Sequence, residues 1–322
     1  MKNKKVLITG GAGAIGINLT NRLLELDVDS ILIIDNFSSG NEEFIPKNRK
    51  VDYKYVDIYR IDTLKSVLDS YKPDYIFHLA AHFANQNSVE HPFSDIQTNV
   101  IGTLNLMELL KNAVNLKKVV YTSSSCVYGN VEVMKENSFI YPYETPYAIN
   151  KYSSELYMKY YAHLFHIPTV SVRLFNTYGP YEKAGKYRNV IPNFIYKALK
   201  NENITITGNG NETRDFTYVS DTVELLILAA LSKEQSGDVF NGGTGIETKI
   251  IDLAEMIIKF SDSSSNIIFK PRRNWDLVTK RVANIEKSKN ILGYNPKVSI
   301  EKGLKKTIQW YKEFLKERNL NE

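Results

Sequence analysis

Tyr147 and Lys151 lie four residues apart in the segment TPYAINKYSSE, which we predict to be helical. Residues at i and i+4 share one face of a helix, so the two side chains are neighbours. A tyrosine hydroxyl has an ordinary pKa near ~10, and a nearby ammonium group favours the phenolate. Tyr147 is therefore a candidate general base for removing a proton from a hydroxyl near neutral pH.

A run of hydroxyl side chains, TSSSCVYGN from Thr122 to Asn130, follows an apolar segment predicted to be a buried strand. The run is followed by Cys126, the single cysteine of the chain. Hydroxyls at strand ends often bond the neighbouring backbone, and a cysteine there often only fills space. The segment thus contains either reactive groups or ordinary strand-end residues.

The N-terminal segment VLITGGAGAIG has Gly10, Gly13 and Gly16 between a predicted strand and a predicted helix. Glycines at this spacing let the chain turn tightly and approach a pyrophosphate, whose charge lies at the helix N-terminus. Asp35 ends the next predicted strand about 20 residues further on, as dinucleotide-binding sites require. A carboxylate there accepts hydrogen bonds from ribose hydroxyls and repels a 2′-phosphate, so we predict NAD rather than NADP. Asp57, which ends the third predicted strand, is a candidate contact for the adenine amino group.

The composition is ordinary for a globular protein: 322 residues, 43% hydrophobic, 24% charged and a formal net charge of +5. One cysteine excludes an intramolecular disulfide, and the first apolar run is too short for a signal peptide. No stretch reaches the ~18 apolar residues of a membrane span, and no basic stripe on a known nucleic-acid-binding module is present. None of the five histidines lies in metal-ligand spacing. We therefore expect a cytoplasmic protein that binds no metal, no nucleic acid and no membrane.

Short apolar runs alternate with longer segments of helical periodicity in the first half of the chain. We predict strands at 6–9, 31–35, 53–56, 75–80, 119–123 and 169–175. We predict helices at 14–26, 61–71, 97–114 and 147–165, the third with Leu104, Met107, Leu110 and Val114 on one face. This alternation predicts an α/β fold: a doubly wound parallel-sheet Rossmann fold with helices on both faces.

The pattern changes after about residue 175, where turn-rich segments separate mixed helices and short strands. We predict a smaller, interleaved C-terminal α/β lobe over the carboxyl edge of the sheet. The predicted NAD-binding Rossmann domain is 1–175, with about 216–245 also belonging to it. The predicted second lobe comprises 176–215 and 246–322.

The motifs, in this order and spacing, resemble those of the extended short-chain dehydrogenase/reductase family, in its nucleotide-sugar epimerase and dehydratase branch. The resemblance covers almost the whole chain and rests on TGGAGAIG, Asp35, DI at 57–58, HLAA at 78–81, Asn99, SSSCVYG, PYAINK, RLFNTYGP, TRDFTYV and KNILGYNPKVSIEKGLKKTIQWY. It implies an NAD-dependent enzyme that oxidises C4 of a nucleoside-diphosphate sugar, which the second lobe binds.

The resemblance also implies residue roles. Tyr147 removes the proton of the sugar 4-hydroxyl, Ser124 bonds that hydroxyl, and Lys151 also holds the nicotinamide ribose. With the glycine pattern, it assigns as cofactor-binding Gly10, Gly13, Ala14, Ile15, Gly16, Asp35, Asn36, Asp57, Ile58, Leu79, Ala80, Ala81, Asn99, Ser123, Tyr147 and Lys151. It assigns as substrate-binding Phe83, Asn85, Ser124, Asn176, Asn189, Val190, Arg214 and Arg273.

The two residues after Ser124 differ between branches of this family. Dehydratases typically have Asp-Glu there and decarboxylases have Glu in the second place, whereas this chain has Ser125 and Cys126. We therefore expect neither dehydration nor decarboxylation. In 3,5-epimerases a cysteine at this place is an acid or base, but its usual Lys or His partner is replaced here by Asn189. Cys126 is thus either a catalytic acid or base or a small apolar residue near the site.

We expect a 4-epimerase of the UDP-glucose type, in which the 4-keto sugar takes the hydride back on its other face. The alternatives are a 4-dehydrogenase that releases the 4-keto sugar, a 3,5-epimerase that uses Cys126 and, less expected, a 4,6-dehydratase or a non-catalytic NAD-binding sensor. UDP-glucose or UDP-galactose is the expected substrate, and a GDP-linked mannose or heptose is the rival. The resemblance implies a homodimer through the helices near 97–114 and 147–165. Their outer side would carry Leu106, Leu109, Tyr157, Tyr160 and Tyr161, unless these pack within one chain.

Overall fold

The structure, a computed structural model, describes residues 1–131, 133–233 and 236–319. The strands are β1 (Lys5–Thr9), β2 (Ser30–Asp35), β3 (Val51–Tyr55), β4 (Tyr75–His78), β5 (Lys118–Ser124), β6 (Thr169–Leu174), β7 (Asn176–Tyr178), β8 (Ile204–Thr207), β9 (Thr213–Arg214), β10 (Phe216–Tyr218), β11 (Asp238–Gly242), β12 (Thr248–Lys249), β13 (Ile267–Lys270) and β14 (Lys280–Arg281). The α-helices are α1 (Ala14–Glu25), α2 (Ile61–Tyr71), α3 (Asn85–Glu90), α4 (Pro92–Ile96), α5 (Gly102–Leu109), α6 (Pro146–Phe165), α7 (Val190–Leu199), α8 (Val219–Leu231), α9 (Ile250–Ser261), α10 (Glu286–Leu292) and α11 (Ile300–Asn319).

Seven parallel strands form one central sheet in the order β11-β6-β5-β4-β1-β2-β3. Six of them have the order 3-2-1-4-5-6 of dinucleotide-binding folds, which reverses between β1 and β4. Loops leave the sheet in opposite directions at that point, so a crevice opens at the carboxyl edge. The predicted doubly wound parallel sheet is confirmed, and Asp238–Gly242 adds its seventh strand beside β6.

Helices cover both faces of this sheet because its strands are apolar on both sides. In β1, Val6 and Ile8 belong to one cluster of buried side chains, and Leu7 between them belongs to another. The first cluster includes residues of α1 and α8, and the second includes residues of α2, α5 and α6. The carboxyl edge is left as the open side of the sheet.

Three small sheets lie outside the central one: β10-β7, β12-β9-β14 and β13-β8. Most of these strands fall within the segments that we assign to the second lobe. β10 lies in the segment assigned to the first lobe, so its pairing with β7 joins the two. Among the described residues, no helix has the length and apolar character that a membrane span needs.

The predicted bounds of the helix at 97–114 are wrong at both ends. Helical backbone begins at Pro92, whose fixed φ suits the first turn, and continues through a π-helical turn, Gln97–Ile101, to Leu109. The chain then turns towards β5 through the asparagine-containing segment 111–117, and asparagine favours turns. Val114 is therefore 94% exposed rather than part of the apolar helix face.

Two of the residues predicted for an outer helix side lie inside the molecule. Leu106 and Tyr161 are buried within the chain. Tyr157 and Tyr160 are exposed, at 37% and 49%. The apolar outer face is therefore narrower on α5 than the sequence indicated.

Candidate active site

A cavity of about 530 Å³ opens at the carboxyl edge of the central sheet. Its wall contains these predicted site residues: Gly10, Gly13, Ala14, Ile15, Gly16, Asp35, Asn36, Asp57, Ile58, Leu79, Ala80, Ala81, Phe83, Asn85, Ser123, Ser124, Cys126, Tyr147, Lys151, Asn176 and Asn189. Four predicted site residues do not line it: Asn99, Val190, Arg214 and Arg273. Among the described residues, no group of three or more His, Cys, Asp and Glu side chains could hold a metal ion.

The turn between β1 and α1 requires glycine for two different reasons. Gly10 has a φ of +67°, and a Cβ there would lie 2.6 Å from the backbone of Ala80. A Cβ on Gly16 would lie 2.5 Å from the backbone of Gly11. A Cβ on Gly13, the N-cap of α1, would meet only the Gly10 carbonyl oxygen, at 3.3 Å. The fold itself therefore needs glycine at 10 and 16, whereas at 13 it leaves room for an anion at the helix N-terminus.

Asp35 and Asp57 form the acidic part of the cavity wall near the ends of β2 and β3. The Asp35 carboxylate accepts hydrogen bonds from the backbone N–H groups of Ala12 at 3.0 Å and Phe37 at 2.8 Å. Burial raises the pKa of Asp35, and these bonds oppose the rise. Asn36 donates to Asp57 Oδ2 at 3.2 Å, while Asp57 Oδ1 is buried with no partner among the described residues. A buried acceptor without a donor fits the amino group of an adenine, so these residues and the glycine turn fit NAD.

The first turn of α6 holds Tyr147 in the wall. The Thr145 hydroxyl caps the helix by accepting the Ala148 N–H at 3.2 Å, and Pro146 occupies the first helical position, both typical of a helix start. The Ser88 hydroxyl accepts the Tyr147 backbone N–H at 3.0 Å. The position of Tyr147 is therefore fixed by its own helix and by α3.

Tyr147 and Lys151 are almost completely buried. The Lys151 ammonium lies 4.7 Å from the ring centre of Tyr121 and 5.9 Å from that of Tyr147. Burial lowers the pKa of Lys151 to about 8. Burial also raises the pKa of Tyr147 well above its ordinary value, and the Ser124 hydroxyl opposes that rise. Burial drives both groups towards their neutral forms, so the ionisation of the pair depends on the charges around it.

The serines in the hydroxyl run do different things. Ser123 lines the cavity and donates to the buried Glu155 carboxylate at 2.9 Å. Ser124 accepts the Cys126 N–H at 3.2 Å and so caps the 3₁₀ turn Ser125–Tyr128. This bond leaves the Ser124 hydroxyl beside Tyr147, where it influences the phenol.

Cys126 lies in the wall of the cavity with two nitrogen donors on its sulfur. Asn85 Nδ2 lies 3.5 Å and an Arg281 terminal nitrogen 3.4 Å from Sγ. The thiol also packs against Tyr147 and Phe83. It is therefore part of the site, in contact with polar groups as well as with apolar ones.

Two arginines predicted to bind substrate, Arg214 and Arg273, lie outside the cavity wall, and their role stays a prediction. Arg214 donates to two backbone carbonyl oxygens and lies 3.6 Å from the Asp276 carboxylate. The Arg273 guanidinium lies 5.4 Å from the ring centre of Trp275. Arg281, which the sequence did not single out, lines the cavity instead, and its buried Nε has no partner among the described residues. The pairing of β14 with β9 brings it there, and no local pattern marks it.

Asn189 lines the cavity, and its side-chain amide makes a hydrogen bond within the protein. Its amide nitrogen donates to Glu182 Oε1 at 3.1 Å, and Val190, next in the chain, begins α7 outside the wall. Glu182 lines the cavity too, and burial raises the pKa of its carboxyl to about 7. Sequence reasoning missed Glu182 because it belongs to none of the motifs.

Asn99 stabilises the loop after β4 rather than lining the cavity. It lies in the π-helical turn, a feature frequent near functional sites. Its Oδ1 accepts the His82 backbone N–H at 3.0 Å, and its Nδ2 donates to the His82 carbonyl oxygen at 3.3 Å. Both ends of the Asn99 side-chain amide are thus engaged by the backbone of His82, and its role in cofactor binding stays a prediction.

The segment of residues 179–189, which we call the strap, bounds the cavity from the side of the second lobe. Arg188 donates to the Ser39 carbonyl oxygen at 2.6 Å, beyond β2. Lys186 forms an ion pair with Glu90 at 2.7 Å, at the end of α3. The strap is thus attached to the loop after β2, which contains the cavity-lining Ser39, and to the end of α3.

Comparisons with known proteins identify relatives of this chain. Residues 6–243 match the NAD dependent epimerase/dehydratase family. A putative UDP-glucose 4-epimerase of Methanocaldococcus jannaschii is 34% identical, over 95% of this chain and 98% of its own. A UDP-N-acetyl-alpha-D-glucosaminuronate decarboxylase of Bacillus cytotoxicus is also 34% identical, over 96% and 98%. The crystal structure of UDP-glucose 4-epimerase with UDP-glucose from Thermotoga maritima is similar at a TM-score of 0.91 and 33% identity, covering 97% of this chain and 99% of that one. The chain therefore belongs to the NAD-dependent epimerase/dehydratase family and is an NAD-dependent nucleotide-sugar enzyme.

Proposed function

We propose that this enzyme is a nucleotide-sugar 4-epimerase that acts on a UDP-linked sugar. The observation that carries the proposal is that Ser124, Tyr147 and Lys151 line the same cavity as the glycine turn and Asp35. A candidate base and a dinucleotide site therefore share one space. The UDP moiety is proposed from the relatives, one of which is a putative UDP-glucose 4-epimerase and another a structure with UDP-glucose.

Three side chains have roles in the proposed reaction. Tyr147 takes the proton of the sugar 4-hydroxyl, Ser124 bonds the same oxygen, and Lys151 favours the phenolate. NAD, which the glycine turn and Asp35 would hold, would supply the hydride acceptor and donor for C4. Tyr147 then returns its proton to the C4 oxygen, so the overall reaction consumes neither protons nor electrons.

The charges in the wall support epimerisation over elimination or decarboxylation. Among the described residues that line the cavity, the carboxylates are Asp35, Asp57 and Glu182. Beside Ser124 the wall has a serine and a cysteine in place of the acids that elimination at C5 and C6 would require. Glu144 lies near this region but pairs with Arg281 at 3.7 Å. A 4-epimerase needs no second acid.

One observation favours a second candidate, epimerisation at C3 or C5. Cys126 lines the cavity, and its sulfur contacts Asn85 and Arg281. A thiol held between two donors is suited to exchange a proton next to a 4-ketone. The substitution Cys126→Ser separates the candidates. If the enzyme is a 4-epimerase that works through Tyr147, the rate of the variant should stay within a few-fold of the original rate.

The test is an NMR assay in D₂O with a panel of UDP-, GDP-, dTDP- and CDP-sugars, followed in parallel at the absorbance of reduced NAD. The proposal predicts a UDP-sugar C4 epimer that contains no deuterium, with no lasting reduced NAD. Deuterium at C3 or C5 would favour the second candidate. A released 4-ketone with stoichiometric reduced NAD would mean a 4-dehydrogenase.

We also propose a homodimer through the outer faces of α4 and α6. Leu156, Tyr160 and Leu164 lie on one stripe of α6 and are 47%, 49% and 54% exposed. On α4, which packs against α6, Phe93 is 84% and Ile96 43% exposed. Apolar side chains grouped in this way favour a protein interface.

A further inference from the structure

Arg281 is a cationic side chain in the cavity wall that has no role in the reaction as described so far. Among the described residues that line the cavity, the lysine and arginine side chains are Lys151, Arg188 and Arg281. Lys151 belongs to the proposed catalytic group, and Arg188 donates to the Ser39 carbonyl oxygen. Arg281 is therefore the positive charge in the wall that neither the reaction nor the strap explains.

The Arg281 guanidinium is buried with too few acceptors for its donors. The residue is 6% exposed, and its Nε has no hydrogen-bond partner among the described residues. One terminal nitrogen contacts the Cys126 sulfur, a weak acceptor, at 3.4 Å. The other lies 3.7 Å from a Glu144 carboxylate oxygen, which is beyond hydrogen-bond distance. A guanidinium has five N–H donors, and a buried charge with unused donors is costly unless a ligand supplies the missing acceptors.

The contacts of Arg281 place its charge at the reacting end of the cavity. Cys126, whose sulfur it contacts, packs against Tyr147, and the Cys126 backbone N–H donates to the Ser124 hydroxyl at 3.2 Å. Tyr147 and Ser124 are the side chains that the proposed reaction assigns to C4 of the sugar. In a six-membered sugar ring the neighbours of C4 are C3 and C5, whereas C1, which carries the pyrophosphate, lies opposite. A group bound by Arg281 is therefore expected on a carbon next to C4 rather than at the pyrophosphate.

The backbone of β14 fixes the position of Arg281. Its carbonyl oxygen accepts the Asp215 backbone N–H at 2.9 Å, and the Asp215 carboxylate accepts the N–H of Ala283 at 3.2 Å. Successive side chains of a strand point to opposite sides, so Lys280, which precedes Arg281, is exposed while Arg281 is buried. The strand thus directs one particular cation of the second lobe into the cavity wall.

We propose that Arg281 binds a carboxylate attached to C5 of the sugar, so that the preferred substrate is a UDP-linked uronic acid. The inference deepens the proposed function and rests on it for the placement of C4 beside Tyr147. The planar fork of an arginine matches the two oxygens of a carboxylate. The neutral hydroxymethyl group of an ordinary hexose offers one oxygen and no charge at the same carbon, and it would leave Glu144 as the partial counter-charge of Arg281.

The test measures binding rather than turnover. UDP-glucuronate, UDP-glucose and UDP are titrated by calorimetry into the NAD holoenzyme in a Tyr147→Phe background, which lacks the proposed base and so does not consume the sugar. We expect UDP-glucuronate to bind at least ~10-fold more tightly than UDP-glucose, because hydrogen bonds between two charged groups are stronger than neutral ones. Adding Arg281→Met should abolish this preference and leave the affinity for UDP unchanged.

Two further variants control for folding and for charge. Arg281→Gln removes the guanidinium in a second way, in case the first variant does not fold, and it should also abolish the preference. Lys280→Met, in the neighbouring position of β14, removes an exposed charge outside the cavity wall. This matched control should keep the full preference for UDP-glucuronate.

The possible outcomes separate this inference from the function on which it rests. Equal affinities for the two UDP-sugars in the protein with Arg281 would overturn the inference. An equal loss of affinity for all three ligands in Arg281→Met would also overturn it, because Arg281 would then bind the pyrophosphate. The reaction is followed separately, with UDP-glucuronate and the original holoenzyme. UDP-galacturonate as product supports 4-epimerisation, whereas a UDP-pentose formed with loss of C6 as CO₂ would contradict the proposed function and leave the binding result as it stands.

Discussion

Tyr147 and Lys151 each lose contact with water on folding, and burial alone favours a neutral phenol and a neutral amine. A neutral phenol is a weak base, so the proposed chemistry depends on charges that oppose burial. The Ser124 hydroxyl opposes the effect of burial on the Tyr147 phenol. The Asp95 carboxylate opposes the effect of burial on the Lys151 ammonium group, but it raises the pKa of Tyr147 further. At the scale of single residues, the ionisation of Tyr147 and Lys151 therefore depends on the balance between desolvation and a few fixed neighbouring groups.

Glu182 provides a prediction at the same scale. Its folded-state pKa is raised to about 7 by burial, so between its ordinary pKa and pH 7 the folded chain holds a proton that the unfolded chain has lost. Stability must then fall as pH rises through that window, by about 1.4 kcal/mol per pH unit and roughly 3 kcal/mol in total. Glu182→Gln removes this loss and keeps the oxygen that accepts from Asn189.

The measurement is urea unfolding of both proteins, saturated with NAD, at pH 5 and pH 8. The variant should match the original protein more closely at pH 5 and be the more stable of the two at pH 8. If the difference in stability between the two proteins were the same at pH 5 and pH 8, the Glu182 carboxyl would not titrate in this window.

Local sequence patterns explain which site residues could be predicted. Tyr147 and Lys151 belong to one short helical motif, and Ser124 follows one strand. Asp95 contacts Asn150, which is 55 residues away in the sequence, and Arg281 contacts Cys126, which is 155 residues away. Such contacts arise from strand and helix packing, which the alternation of apolar segments does not specify to the level of single side chains.

The turn between β1 and α1 gives a prediction at the scale of an element. Gly10→Ala places a Cβ 2.6 Å from the Ala80 backbone at a positive φ, so it should lower the free energy of unfolding by at least ~2 kcal/mol. Gly13→Ala meets only one oxygen, at 3.3 Å, and should leave the stability of the NAD-free protein within about 1 kcal/mol. Its effect should appear in NAD affinity, because the methyl group occupies the space above the N-terminus of α1.

Urea unfolding without NAD and calorimetric titration with NAD measure the two effects separately. A Gly10→Ala protein as stable as the original would contradict the steric account of the turn. NAD binding unchanged in Gly13→Ala would place the pyrophosphate elsewhere.

Strand positions could be predicted well because the buried runs are continuous and bounded by polar turns. Helix ends were less predictable. The helical periodicity near 97–114 hid both the start at Pro92 and the π-helical turn, since an extra residue in one turn shifts the apolar face without any change in composition. That shift also explains why Leu106 faces the core.

The lobes are connected across the cavity by several contacts, so the site depends on the whole molecule. The strap bonds to the loop after β2 through Arg188 and to the end of α3 through Lys186. On α11, Trp310 and Phe314 pack against Phe44, which lies beyond β2, with ring centres 5.7 Å away in each case. Movement of the second lobe would therefore alter both the cofactor side and the sugar side of the cavity.

The proposed dimer is the prediction at this scale. Leu156→Arg places a charge on the exposed apolar stripe of α6, where a dimer would bury it without a partner. Sedimentation velocity should show a dimer for the original protein and a monomer for the variant. Ile291→Arg, on α10 and 42% exposed, is the control and should remain dimeric. A monomeric original protein, or a dimeric Leu156→Arg protein, would contradict this interface.

The return of the hydride to the same carbon is the central claim, and a label at C4 follows it directly. UDP-glucose and UDP-N-acetylglucosamine, each deuterated at C4, are incubated with the NAD holoenzyme in ordinary water, and the products are analysed by NMR. We predict a C4 epimer that keeps its deuterium at C4, and a loss of at least ~10²-fold in rate for Tyr147→Phe. A product that has lost the C4 deuterium, or a released 4-ketone with deuterium retained on reduced NAD, would contradict the account.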